Sequence, residues 1–274
     1  MTRARDLADY ISTGVSDTEL DVLDGVTAGT VTASKALVVD ANKDVASLRN
    51  ATLTGTATIN TLAVDGGTIK LDGNYPTGTG NVALGDTALD SVQSGGDNNV
   101  AIGHNAGTAI TTGAENTIIG AEAGQALTTG TDNTFLGRKA GYNNTDRNHN
   151  TGLGNESLFT NVNGAKNVAV GSGALLSMNP ASDADTYNTA IGYDAGLAVT
   201  TGTNNTLIGG LAGDAITTGG SNTAVGAYSM TTLTTGDHNV AVGTSALDVT
   251  TTGSQNVAVG RDALGANTTA SDNT

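Results

Sequence analysis

From Asn81 onward the chain repeats one pattern of polar and apolar positions. An Asn opens each copy, a Thr or Val follows it, an aliphatic residue stands at the fourth place and a Gly at the fifth. In one-letter form the phrase reads N-[TV]-x-[VIL]-G-x-x-[AS]-[GLM], then a variable stretch that often ends in T-T-G. The opening residues are Asn81, Asn99, Asn116, Asn133, Asn150, Asn167, Asn188, Asn205, Asn222, Asn239, Asn256 and Asn273. They lie 17 apart, except 18 after Asn81 and 21 after Asn167. An Asn and a Gly locked together on one period are the signature of a repeat architecture.

The pattern does not suit a helix. Gly costs about 1 kcal/mol against Ala in a helix interior, and each copy carries Gly with paired Thr. The T-x-[VIL] core favours a short strand, which the Gly at place five ends. Each copy is therefore expected to form one coil of an all-β parallel β-solenoid, with two short strands joined by Gly-containing turns. The aliphatic residue at place four (Leu84, Ile102, Ile119 and their successors) is expected to point inward. Ala at place eight, as at Ala106, Ala195 and Ala212, suits closely spaced backbones. The frame is clearest where Asn99 precedes Gly103, Asn116 precedes Gly120, Asn205 precedes Gly209 and Asn222 precedes Gly226. The Asn column is expected to stack into an amide ladder. Eleven coils at about 4.8 Å each make a rod roughly 50 Å long.

Composition narrows the reading. The chain of 274 residues has no Trp, two Phe and 39 Gly, too few large side chains for a thick aromatic core. Disorder is the alternative that such a bias suggests, but the strict apolar period opposes it. Ordering one coil costs on the order of 17–34 kcal/mol, and burying one Val or Ile returns only about 1.5–3 kcal/mol. Further apolar residues at places nine and twelve, such as Leu89, Ile110, Leu127 and Ile216, also need cover. Coils packed against identical chains about a three-fold axis would supply it, so a homotrimer is expected.

The phrases "NTAVG", "NVAVG" and "NTAIGYDAG" resemble the head repeats of YadA-type trimeric autotransporter adhesins. They resemble even more closely the related repeats of bacteriophage fibre proteins. The resemblance runs from Asn81 to Thr274 and implies a left-handed trimeric β-roll, although the adhesin repeat is usually shorter than 17 residues.

The first eighty residues differ. Over 1–26 a helical attachment segment is expected: in "VSDTELDVLDGV" Ser16 caps a helix, Glu19 completes a capping box and Gly25 ends it. Over 27–80 alternating Thr, Val, Ala and Leu predict a thin β-rich shaft. The stretch "RDLADYI…SDTELDVLDGVTAGTVTASKALVVDANKD" resembles the N-terminal part of virion-associated proteins of tailed phages, especially marine ones that infect cyanobacteria. That resemblance implies a virion structural protein docked through this segment onto a tail or capsid protein.

Little in the chain points to reaction chemistry. The net charge of −15 argues against nucleic acid, and no apolar run approaches the twenty residues of a membrane span. There is no Cys, no phosphate loop and no nucleophile elbow. His104, His149 and His238 stand apart in sequence, so no metal site, cofactor or catalytic residue is expected. Thr pairs such as Thr111-Thr112 and Thr217-Thr218 raise ice binding, against the simpler reading of turn and ladder residues.

Two departures from the repeat remain. The copies from Asn133 to Lys166 lose T-T-G and gather Arg138, Lys139, Arg147 and Lys166 with Tyr142. They form either a patch for an acidic glycan or partner, or an offset to the charge of an acidic rod. The second departure is the four-residue insertion within Ser177 to Tyr187, expected as a surface loop. Any receptor contact, a host surface glycan included, is expected at Arg138, Lys139, Tyr142, Arg147 and Tyr187. The phrase is cut at Asn273-Thr274, so more rod and a tip domain are expected to follow. The expected function is a non-enzymatic structural virion fibre, of tail or head, that projects a host-attachment element. The alternatives are a bacterial trimeric surface adhesin and a capsid decoration protein.

Overall fold

The structure is a computed structural model and describes residues 78–274. The helical segment expected over 1–26 and the shaft expected over 27–80, save its last three residues, lie outside the described residues. From β1 (Val82–Leu84) to β13 (Val257–Val259), eleven three-residue strands, one per coil, pair in parallel and in chain order into a single sheet. Register advances by one repeat at each step: Thr206 lies beside Thr223, Leu207 beside Ala224 and Ile208 beside Val225. The array is a parallel β-solenoid, with no helix among the described residues.

Among the described residues, the second strand expected in every coil occurs in two successive coils only, those opened by Asn150 and Asn167. β6 (Gly164–Ala165) pairs with β8 (Ala184–Asp185), the latter within the inserted segment, to form a separate two-stranded sheet. In the other coils the path beyond place five turns through left-handed corners at places seven, nine and seventeen. Leu211 (φ 59), Met230 (φ 55) and Ser221 (φ 57) are examples. A strand needs extended φ/ψ at successive residues, and these corners interrupt it.

Which strand residue faces inward also differs from expectation. The fully buried one is place three (Ala101, Ile118, Phe135, Leu207, Ala241), while place four is half-buried or exposed. Side chains alternate along a strand, so places two and four share the outer face. The interior is closed by places eight, nine and twelve, where Leu89, Ile110, Leu127, Ile216 and Leu247 are wholly buried within their own chain. These residues need no second chain to cover them, contrary to the expectation that a three-fold partner buries them.

Volume inside the coil is shared between places three and nine. Wherever place nine is large (Leu89, Leu158, Leu175, Met230, Leu247, Leu264), place three is Ala or Gly (Ala83, Gly152, Ala169, Ala224, Ala241, Ala258). Where place three is large, place nine is Gly. Gly141 shows why: a Cβ there would stand 2.5 Å from the ring of Phe135. Interiors pack near crystal density, so one large group per layer excludes another.

Two columns fasten coil to coil. The Asn116 backbone N–H donates to Asn99 Oδ1 at 3.0 Å, and Asn116 Nδ2 donates to the Gly130 carbonyl at 2.9 Å. The same pair of bonds recurs at Asn205 and Asn222, and the Asn residues from Asn99 to Asn256 are essentially solvent-free. The Gly column at place five has φ between 124° and 143°. A Cβ at Gly226 would lie 2.5 Å from the carbonyl oxygen of Gly243 in the next coil. Both the dihedral and the 17-residue stacking therefore require Gly at this place.

Candidate functional site

The sheet's outer face is built by places two and four. Val100, Thr117, Val168 and Val240 alternate there with Ile102, Leu136, Ile208 and Val242, and no charged residue occupies either place in any of the eleven strands. Leu84, Leu136, Leu153 and Ile191 are each about two-fifths exposed. The column runs roughly 50 Å along the rod and about 7 Å across. Place two is Thr in six of the eleven strands and Val in five, so the aliphatic character is concentrated in the unbroken place-four column. A run of exposed aliphatics marks an interaction surface more often than scattered single ones do. Sequence reasoning placed these aliphatics in the core, and with them the face went unseen.

The five residues expected to touch a receptor fall into two groups in the structure. Lys139 and Tyr142 stand at places seven and ten of the coil opened by Asn133. Tyr142 stacks on Phe159 of the next coil (centroids 5.2 Å apart, planes at 22°), and Lys139 Nζ lies 5.5 Å from the Tyr142 ring centre. Arg138 at place six pairs with Glu156 at 3.0 Å, and Lys139 with Glu122 at 3.6 Å. The second group gathers around the insertion. Arg147 bridges Asp146 at 2.8 Å and Asp183 at 3.0 Å. Lys166 Nζ sits 2.6 Å from Asp185 and 3.1 Å from the Tyr187 hydroxyl, with the Tyr187 ring centre at 5.2 Å.

Electrostatics follow these contacts. The hydrogen bond from Arg147 holds the Asp146 carboxyl below its usual range, against the upward pull of partial burial. Asp146 in turn raises Arg147. Hydrogen bonds to Asp185 and then Tyr187 raise Lys166, and Lys166 lowers Asp185. Every cation of the cluster therefore faces a carboxylate. The insertion is a strapped flap: Asn163 Nδ2 donates to the Pro180 carbonyl at 2.9 Å, and β8 closes on β6.

The remaining candidates are quickly placed. In the Thr pairs the first hydroxyl donates to the backbone of the next coil, Thr217 to Thr234 at 3.1 Å and Thr234 to Thr251 at 3.0 Å. The second, as at Thr218 and Thr235, is exposed. His149 lies 3.8 Å from Asp132. Among the described residues no group of three His, Cys, Asp or Glu could hold a metal ion, and no helix is long and apolar enough to cross a membrane.

Two residues that sequence reasoning passed over stand out by exposure. Tyr193 is 62% and Tyr228 52% exposed, both in regular coils. No family model matches the chain, and no curated protein or solved structure is significantly similar to it.

Proposed function

We propose that this chain is a non-enzymatic structural segment of a virion fibre, a homotrimeric rod docked through residues 1–26 onto a tail or capsid protein. The observation that carries the reading is the uncharged outer face of the eleven-stranded sheet. Such a face carries Val or Thr at place two and Leu, Ile or Val at place four in every coil. Similar residues therefore meet at each level when copies are arranged around an axis along the rod. Burying it between chains removes aliphatic area from water at about 25 cal/mol per Å². The acidic remainder of the surface keeps separate rods apart in solution. The phage-like first fifty residues support the virion as the place of assembly.

A gold-labelled antibody raised against the purified chain tests the reading on intact phage particles and on uninfected host cells. Label on a fibre of the particle is the expected result. Label confined to the bacterial surface would overturn it in favour of an adhesin.

A further inference from the structure

The interior of the rod has an order along its length that the repeat phrase does not show. Coils of three kinds are stacked. Those opened by Asn81, Asn150, Asn167, Asn222, Asn239 and Asn256 carry their large residue, Leu or Met, at place nine. Those opened by Asn116, Asn133 and Asn205 carry it at place three. The coils opened by Asn99 and Asn188 have neither: place three is Ala (Ala101, Ala190) and place nine is Gly (Gly107, Gly196). Backbone conformation does not explain these two glycines. Place nine is left-handed in every coil, yet Leu89 (φ 55), Leu175 (φ 49) and Met230 (φ 55) adopt there what Gly107 (φ 56) and Gly196 (φ 61) adopt.

Space explains them. A Cβ at Gly196 would stand 2.7 Å from Leu207 Cδ1, at place three of the following coil. It would also stand 3.0 Å from Leu175 Cδ2, at place nine of the preceding coil. Gly107 has the equivalent neighbours, Ile118 Cδ1 of the following coil at 3.1 Å and Leu89 Cδ2 of the preceding coil at 3.3 Å. At both sites a place-nine side chain leans forward along the rod and a place-three side chain leans back. The two meet in the layer between them, which they fill in place of that coil's own side chains. The reverse handover occurs without such a coil. Phe135 at place three is followed directly by Leu158 at place nine, and Leu207 by Met230, as expected if each pair points away from a shared layer.

We propose that the coils opened by Asn99 and Asn188 are spacers that fix the order of coils in the stack, one being required wherever place-nine filling passes to place-three filling. The Asn and Gly columns are the same in all eleven coils, so neither column opposes stacking one coil out of step. The interior does oppose it. A stack that skipped the Asn188 coil would bring Leu175 and Leu207 into adjacent coils, with two large side chains directed at one layer. Overfilling a close-packed core is destabilising. The device lies wholly inside the chain and does not depend on what covers the outer face or on where the rod is attached.

Urea unfolding of the full chain, followed by far-UV circular dichroism, tests it with Gly196→Leu, Leu207→Ala and the two combined. Each single substitution should lower the midpoint, the first by overfilling the shared layer and the second by underfilling it. The combined variant should unfold at higher urea than Gly196→Leu alone, because the added side chain leans forward into the volume that Leu207 vacates. Where Gly196→Leu is not recovered folded, the return of soluble folded protein in the combined variant is the expected result. A Gly196→Leu variant with the parent's midpoint, or a combined variant no more stable or soluble than Gly196→Leu, would overturn the proposal.

Discussion

The regular coils from Asn205 to Gln255 and the irregular stretch from Asn133 to Tyr187 keep the same interior under different surfaces. In both, each Asn backbone N–H donates to the Asn of the coil before it. The bond persists across the 21-residue coil, where Asn188 N–H still meets Asn167 Oδ1 at 3.0 Å. In both, place three, four or five can be read off the frame without knowing the surface. What changes is outside. The regular coils tie themselves with Thr hydroxyls and glycine turns. The irregular ones use Arg147, Lys166 and their carboxylate partners, with a second small sheet that includes part of the insertion. The four-residue insertion leaves the ladder unbroken, although Thr186 within that segment is buried and its hydroxyl donates to Asn167 Oδ1 at 2.8 Å.

The most damaging change should strike both regions equally. Gly226→Val places a side chain against the Gly243 carbonyl 2.5 Å away, at φ 136. Gly154→Val does the same against Gly171 in the irregular part. Each is expected to cost more than about 4 kcal/mol, read as loss of soluble folded protein. If Gly154→Val were tolerated, the two regions would not share a frame.

Next comes the ladder. Asn222 accepts from the Asn239 N–H at 2.9 Å and from Asn239 Nδ2 at 3.1 Å, and donates to the Gly236 carbonyl at 2.9 Å. Asn222→Ala leaves buried backbone groups unpaired and should cost about 3–4 kcal/mol by denaturant unfolding, at 1–3 kcal/mol per orphaned group. Asn167→Ala should cost a similar amount.

Acid should then separate the regions. Asp146 and Asp185 have folded pKa values lowered by Arg147 and Lys166. Their contribution is fully present above the unfolded carboxylate value, near 4, and is lost as pH falls through the lower folded values. Hydrogen exchange, corrected for its intrinsic pH dependence, should show residues 179–187 losing protection in that window. In the Asn205–Gln255 coils, amides that donate to backbone carbonyls or to ladder Asn side chains should keep theirs, unlike Gly220, whose N–H donates to Asp237 Oδ1.

The smallest effect is expected at the exposed pair of Arg138 and Glu156. The Arg138 side chain is 54% exposed, and Arg138→Ala should change stability by less than about 0.5 kcal/mol.

Much of this frame is legible in the sequence, because a ladder and a close backbone approach each demand a specific residue at a fixed interval. The direction of the strand is not. A three-residue strand offers either place three or places two and four to the core, and the aliphatics at place four suggest the wrong choice. The correct signal lies in residue pairs: Met230 with Ala224 and Leu158 with Gly152 show two places dividing one volume. The left-handed corners were hidden because Leu211, Leu247 and Tyr228 occupy them in place of Gly.

The account rests on the outer face of the sheet being an interface between copies of the chain. Light scattering of the purified full chain tests that most directly, with Val242→Glu as a companion that places a charge on the face. The parent is predicted to show three times the 27.0 kDa of a single chain, and the variant a smaller mass. A parent mass of 27.0 kDa would contradict the account.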